Sequence, residues 1–331
     1  MTGEVARAGG PVQVLGRVVE TRPVGAYTAM TLAAPGVAES FRPGHFVALA
    51  VGGPESGLLL RRSFAVLDAR THSAHGSTVR IVFSVAGAGT AWLARRRVGD
   101  PVDVVGPLGR PFPLPREPHP AVLVGGGYGS APLLPLAEAL AARGCAVHLV
   151  LGAATADRLY GVADAERLGE SATVTTDDGS SGTRGRVTDV LPDLLARTGA
   201  ATVYACGPMA MLAAVSRVAS THGAEAQVAV EESMACGIGV CMTCVLPVVG
   251  DDGRTRMVRS CVEGPVFAGD RVRFDAVGSV PADAVGAPAG GLAAGGGPAT
   301  VPPLTVPVAD PDAATAGLPA ETHGASPGGG L

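Results

Sequence analysis

The chain contains no lysine: all 25 basic residues are arginine, which a GC-rich genome accounts for and from which nothing functional follows. Clustered cations are lacking too. With a net charge of −4 at pH 7, the protein has no surplus for neutralising phosphates, which excludes nucleic acid as a main partner. No apolar run approaches the roughly 20 residues of a membrane helix, and the N-terminal stretch has no hydrophobic signal core. A cytoplasmic protein without a membrane association is the expectation. The histidines, His45, His72, His75, His119, His148, His222 and His323, form no metal-ligand spacing, and none pairs with a serine in a G-x-S-x-G nucleophile motif. No residue offers itself as a catalytic base for abstracting a substrate proton.

Cysteine is sparse, with six in 331 residues, but four of the six are organised. Cys236, Cys241 and Cys244 are spaced C-x4-C-x2-C, and Cys261 follows at a distance, which is the ligand spacing of a plant-type [2Fe–2S] centre. Gly237 and Gly239 suit such a loop, because backbone N–H groups must approach the sulfurs. Zinc and disulfides are the alternatives. Zinc usually takes two close pairs, and here Cys241 and Cys244 alone form one; disulfides fit poorly without a secretory signal. Cys145 lies in an apolar run and reads as core.

The length allows two or three domains. From 11 to about 113, short β-patterned runs are broken by Gly and Pro: Val12–Val19, Ala26–Leu32, Phe46–Val51, Ser63–Leu67, Thr78–Val85 and Val102–Val105. With a helical segment near Thr90–Arg97 they suggest a small antiparallel barrel, able to hold a ligand at its mouth. From 120 the pattern becomes strand, glycine turn, helix. Val122–Val124, Val147–Leu151, Ala172–Thr175, Thr202–Ala205 and Gln227–Val230 read as buried strands, with helices at Pro132–Arg143, 188–197 and 208–221 between them. That alternation predicts a parallel sheet covered on both faces. Gly264–Phe267 reads as a turn and Arg271–Phe274 as a last strand. The expected fold is mixed β and α/β: an antiparallel barrel over 11–116, a parallel α/β nucleotide domain over 117–226, a small cysteine subdomain over 227–275 and a tail over 276–331. The tail, almost wholly Ala, Gly, Pro, Val, Thr and Asp, cannot bury enough apolar surface to offset its ordering entropy and is expected to be disordered.

Several loops could hold anions. Arg62 could pair with a pyrophosphate through its planar fork, with Phe64 beside a flat ring, though an exposed Arg next to a core Phe is common. Gly89 and Thr90 open the one helix of the first half, where free N–H groups suit a phosphate; Thr90 is equally an ordinary cap. Gly125, Gly126, Gly127 and Gly129 follow a strand and precede a helix, the context of a dinucleotide loop, but depart from G-x-G-x-x-G. Cys206, Gly207 and Pro208 occupy the same position after a later strand, where a buried Cys and plain Gly-Pro punctuation would serve as well.

In this order the motifs resemble the ferredoxin-reductase-like flavoproteins, and most closely the electron-transfer subunits of NAD-dependent (type B) dihydroorotate dehydrogenases, over about residues 11–275. The stretches that carry the resemblance are Glu231 to Cys244 and Arg259 to Phe267. It implies that the flavin motif falls on Arg62, Ser63, Phe64 and Ala65, the last being Ser in the family, so that one hydrogen bond to the flavin is lost or made by backbone. It further implies that Val82, Phe83 and Ser84 line FAD, that Gly89 and Thr90 meet its pyrophosphate, and that Gly106–Gly109 and Phe112 link the domains. Gly125, Gly126, Gly127 and Gly129 would receive NADH, with Cys206, Gly207 and Pro208 bordering its nicotinamide. Cys236, Cys241, Cys244 and Cys261 would hold the [2Fe–2S] cluster. The implied activity is electron relay between NAD and the FMN of a separate catalytic subunit, by way of FAD and the cluster, in pyrimidine (UMP) biosynthesis. A heterotetramer of two catalytic and two electron-transfer subunits would result. An NAD(P)H–ferredoxin or sulfide-linked reductase subunit, and a non-enzymatic iron–sulfur redox sensor, are the alternatives.

Overall fold

The β-patterned runs of the first third find each other as six strands in a computed structural model that describes residues 10–53 and 56–288. They are β1 (Val12–Val24), β2 (Tyr27–Ala33), β3 (Phe46–Leu49), β4 (Arg62–Ser73), β5 (Gly76–Phe83) and β6 (Pro101–Leu108). Every neighbour pair is antiparallel in the order β1-β2-β5-β4-β3-β6, and β6 pairs back onto β1 to close a barrel. Alternation explains the closure: Val47 and Leu49, Val79 and Ile81, Val102 and Val104 are buried inside, along with Leu93 of the single helix α1 (Ala88–Ala94).

One outer face of the barrel is apolar as well. Leu67 and Val82 pack into the core of the next unit with Leu133 and Leu136. That unit runs β7 (Ala121–Gly126), α2 (Leu133–Ala141), β8 (Val147–Ala153), α3 (Val162–Leu168), β9 (Ser171–Thr176), β10 (Thr183–Arg184), α4 (Val187–Thr198), β11 (Thr202–Cys206), α5 (Met209–Thr221) and β12 (Glu225–Ala229). Its strands are parallel and buried on both faces: Leu123, Leu149 and Leu151 meet α2 and α3, while Val122, Val124 and Val150 meet α4 and α5. The strand order β10-β9-β8-β7-β11-β12 reverses direction between β7 and β11. A crevice opens outside the strand ends at such a switch point. The link to the barrel is locked by Phe112, whose ring stands edge-on to Tyr204 at 5.7 Å, and by Tyr204 Oη, which donates to Pro113 O at 2.9 Å.

The final segment differs most from expectation. Between the cysteines lies a hairpin of β13 (Val245–Val249) and β14 (Thr255–Arg259). The last strand is β15 (Val266–Ala268), not Arg271–Phe274, because Val266–Ala268 reaches the free edge of β12 and pairs antiparallel with it. Arg271 and Arg273 are instead drawn into ion pairs with Asp251, Asp275 and Asp283. The sheet and the cysteine segment are joined through the pairing of β12 with β15. The expected disorder from 276 is corrected over 276–288, which folds back onto the hairpin: Val285 N–H donates to Thr255 O at 2.8 Å and Ala276 and Ala284 are buried. The expected tail beyond, 289–331, lies outside the described residues. No helix among the described residues is long and apolar enough to cross a membrane.

Candidate functional site: a cleft and a cysteine cage

A cleft of about 660 Å³ opens between the barrel, the switch point and the segment preceding the cysteines. Because β4 and β5 are antiparallel neighbours, the start of one and the end of the other fall at the same rim. Arg62, Ser63, Phe64 and Ala65 line it from β4, and Val82, Phe83 and Ser84 line it from the end of β5. Phe64 and Phe83 brace this wall with ring centroids 5.4 Å apart.

The two adjacent arginines have different fates. Arg61 is spent on a two-pronged ion pair with Asp103 at 3.3 and 3.0 Å. Arg62 has no carboxylate partner among the described residues, and its Nη1 donates to Leu60 O and Arg61 O at 2.8 and 3.2 Å. Gly89 is outside the cleft lining and serves Arg62: a Cβ there would stand 2.8 Å from Arg62 Nε. Thr90 lines the cleft, and its hydroxyl accepts from the N–H groups of Ala86 and Gly87 at 2.9 and 3.1 Å; the N-cap of α1 is Gly87, and Thr90 reaches back to it from the third helical position.

At the switch point the loops after β7 and β11 interlock. A Cβ on Gly129 would meet Cys206 O at 2.7 Å, and one on Gly126 would meet Met211 Sδ at 2.7 Å. Gly125 is pressed against Ser130, and Gly127 (φ +57°) approaches Tyr27 Oη. The loop is a short 3-10 turn, Gly127–Ser130, with α2 starting three residues later, which explains the departure from the dinucleotide spacing. Gly129 and Cys206 line the cleft; Gly125, Gly126, Gly127, Gly207 and Pro208 are outside its lining, and the close contacts of Gly126 with Gly207 and Pro208 let the two loops touch.

Two acids complete the wall. Glu231 and Glu232 follow β12 and face the cleft, and burial raises both carboxyls above their ordinary range. Burial, then the charge of Glu231, pushes the Cys206 thiol far up, and does the same to the Tyr128 phenol on the glycine loop. These acids were missed as site residues, although two carboxylates at the end of a buried strand beside a cysteine loop were a readable signal.

From Glu231–Ala235 the cleft wall continues to Thr243, next to Cys244. Positive φ at Gly237 (72°), Gly239 (83°) and Met242 (60°) curls the loop so that the N–H groups of Ile238 and Val240 approach Cys236 Sγ at 3.5 and 3.4 Å. Burial pulls the Cys236 thiol upward, yet donors on Cys241, Ile238 and Val240 outweigh it and hold it below the ordinary range. Cys241 is brought down to about 6, first by Thr243 and then by Cys236. Cys261, buried and facing Cys244, is pushed up to about 12. All six cysteines carry free thiols in this structure. Cys236 meets Cys241 and Cys244 meets Cys261 side chain to side chain, and Cys261 also feels Cys236. Among the described residues no three Cys, His, Asp or Glu side chains converge on one ion. Soft donors with the N–H groups of Ile238 and Val240 turned toward Cys236 Sγ fit an iron–sulfur cluster. Cys244 and Cys261 also pack with Phe46, Ala48 and Leu108, seating the cage on the barrel.

Known proteins with this arrangement define its class. The structure of an NADH-dependent reduced ferredoxin–NADP oxidoreductase superposes with a TM-score of 0.68 at 33% identity, covering 79% of this chain and 91% of that one. A ferredoxin NADP+ reductase from Neisseria gonorrhoeae, with bound FAD and NADP, shares the fold at 17% identity, a TM-score of 0.53 and coverage of 64% and 92%. The protein is an oxidoreductase of the ferredoxin-reductase-like class. Residues 123–217 match the oxidoreductase NAD-binding domain, and 231–273 match the iron–sulfur cluster binding domain of dihydroorotate dehydrogenase B. The electron transfer subunit of dihydroorotate dehydrogenase B (NAD(+)) from Geobacillus thermodenitrificans is 40% identical over 73% of this chain and 91% of its own length. That from Enterococcus faecalis is 38% identical over 71% and 88%. The chain belongs to this family of electron transfer subunits.

Proposed function

We propose that the protein passes electrons between NAD(H) and a separate FMN-containing catalytic subunit that oxidises dihydroorotate, in the cytoplasmic pathway of pyrimidine biosynthesis. The observation that supports this most is the single cleft whose wall runs from Arg62–Ala65 past Gly129 and Cys206 to Thr243 beside the cage. In this reading FAD is held by Arg62, Ser63, Phe64, Ala65, Val82, Phe83, Ser84 and Thr90, with Gly89 leaving room for the Arg62 side chain. NAD(H) is met by Gly129 and Cys206, on loops shaped by Gly125, Gly126, Gly127, Gly207 and Pro208, and a [2Fe–2S] cluster is held by Cys236, Cys241, Cys244 and Cys261. When bound, FAD supplies the exchange between hydride pairs and single electrons that nicotinamide and iron–sulfur chemistry require.

The chain's own groups prepare each site. Arg62, free of carboxylates among the described residues, offers its guanidinium to a phosphate. Ser63 and Ser84 line the cleft, and a serine hydroxyl can both donate and accept. A lowered Cys241 and an N–H-supported Cys236 favour the thiolates that iron needs. The C-x4-C-x2-C spacing with Cys261 favours a two-iron centre, and the assembly is a heterotetramer of two subunits of each kind.

Purified full-length chain is expected to show flavin and iron–sulfur absorbance and to couple NADH to an added dihydroorotate-oxidising subunit. Cys241→Ser should lose that coupling while still reducing an artificial acceptor with NADH. A folded, colourless, iron-free preparation, or a Cys241→Ser variant coupling at full speed, ends the reading. The 33% identical ferredoxin–NADP oxidoreductase favours a second reading, in which ferredoxin is the partner; transfer to ferredoxin but not to the dihydroorotate-oxidising subunit would select it.

A further inference from the structure

The cage has two arms that are separated in the chain: the loop from Cys236 to Cys244, and the turn after β14 that carries Cys261. Backbone ties them where Ser260 N–H donates to Cys244 O at 2.9 Å. Arg259, the last residue of β14, adds a side-chain tie further out. Its Nη1 donates to Gly239 O, in the middle of the loop arm, at 2.9 Å, and its Nη2 donates to Glu263 Oε1, on the other arm, at 2.9 Å. Glu263 Oε2 in turn accepts the Arg259 N–H at 3.1 Å. The arms touch here: a Cβ on Gly239 would lie 2.5 Å from Val262 Cγ2. An ordinary surface pair four residues apart would be worth little. This pair differs in having a third partner, the Gly239 carbonyl, and in being partly sheltered, with side chains 36% and 30% exposed.

We propose that Arg259 and Glu263 are positioning residues for the cluster: they clasp the loop arm to the Cys261 arm, and their opposite charges set its reduction potential with opposite sign. The inference rests on the reading that the four cysteines hold an iron–sulfur centre. Reduction adds negative charge to such a centre, so a nearby cation favours it and a nearby anion opposes it. Arg259 stands two residues before Cys261 and directly before Ser260, whose N–H bonds Cys244 O. Glu263 is two residues from Cys261. Removing either partner opens the clasp, but each removal leaves a different charge behind.

The test uses the full-length chain with its cluster, purified anaerobically as wild type, Arg259→Gln, Glu263→Gln and Arg259→Lys. Two quantities are read: the rate at which a chelator bleaches the cluster absorbance, and the midpoint potential from a dithionite titration followed by electron paramagnetic resonance. Both Gln variants should lose the cluster about tenfold faster, the scale of outer-ligand substitutions. Arg259→Gln should lower the potential and Glu263→Gln should raise it. Arg259→Lys keeps the charge without the fork, so it should bleach faster yet keep a potential near wild type. Bleaching at the wild-type rate in both Gln variants, or potentials that move in the same direction, overturns the clasp. A wild-type chain without any cluster spectrum overturns the functional reading, and the clasp falls with it.

Discussion

At the scale of single residues, neighbours of the same type have been assigned different work by what lies beside them. Arg61 is neutralised by Asp103, whereas Arg62 is left to the cleft. Arg62→Ala is therefore expected to weaken FAD binding about tenfold or more, the worth of a hydrogen bond to a charged group, as read by flavin fluorescence on titration. Arg61→Ala should cost thermal stability and leave flavin affinity nearly unchanged. Glu231 carries a pH signature. Burial raises its carboxyl in the folded chain, so on raising the pH the unfolded chain ionises first, from about the ordinary value of 4.5, and stability is lost until the raised value is passed. Above that point the loss is constant. Glu231→Gln removes it: the cofactor-free variant should melt higher than wild type at about pH 7 and equally at about pH 4, by scanning fluorimetry.

At the scale of elements, function depends on close approach between loops. Gly129 sits 2.7 Å, at its Cβ position, from a backbone carbonyl that cannot swing away. Gly129→Ala should force the loops after β7 and β11 apart, costing about 1–3 kcal/mol of stability in a thermal melt and raising the KM for NADH. Much of this architecture was legible. Six barrel strands follow from alternation at Val47 and Leu49 or Val79 and Ile81, and the parallel sheet follows from apolar runs punctuated by glycine. The cysteine spacing was the most readable signal, since ligand geometry dictates it. What escaped reading was set by distant partners. α3 has one buried side chain, Ala165, so its apolar face is too narrow to announce itself. Whether Val266–Ala268 or Arg271–Phe274 became the last strand depended on which could reach the edge of β12. The roles of Gly89 and Gly126 lay in Arg62 and Met211, neither of which is adjacent in sequence.

At the scale of the molecule, composition misjudged residues 276–288. Residues 276–288 look like the start of a disordered tail, yet Asp283 receives bonds from Thr255 Oγ1 and Arg273 Nη1, both at 3.1 Å. A chain ended at Asp275 should melt a few degrees below one ended at Pro288, reflecting about 1–2 kcal/mol, and the difference should appear in a calorimetric scan of the two. The pairing of β15 with β12 has a consequence for engineering. The iron-binding portion cannot be cut off as a cassette, because its removal would strip the cover from the rim of a buried parallel sheet. An uncovered rim of unpaired N–H and C=O groups recruits strands from other molecules, so a shortened reductase of this kind would be prone to clump before it could be assayed.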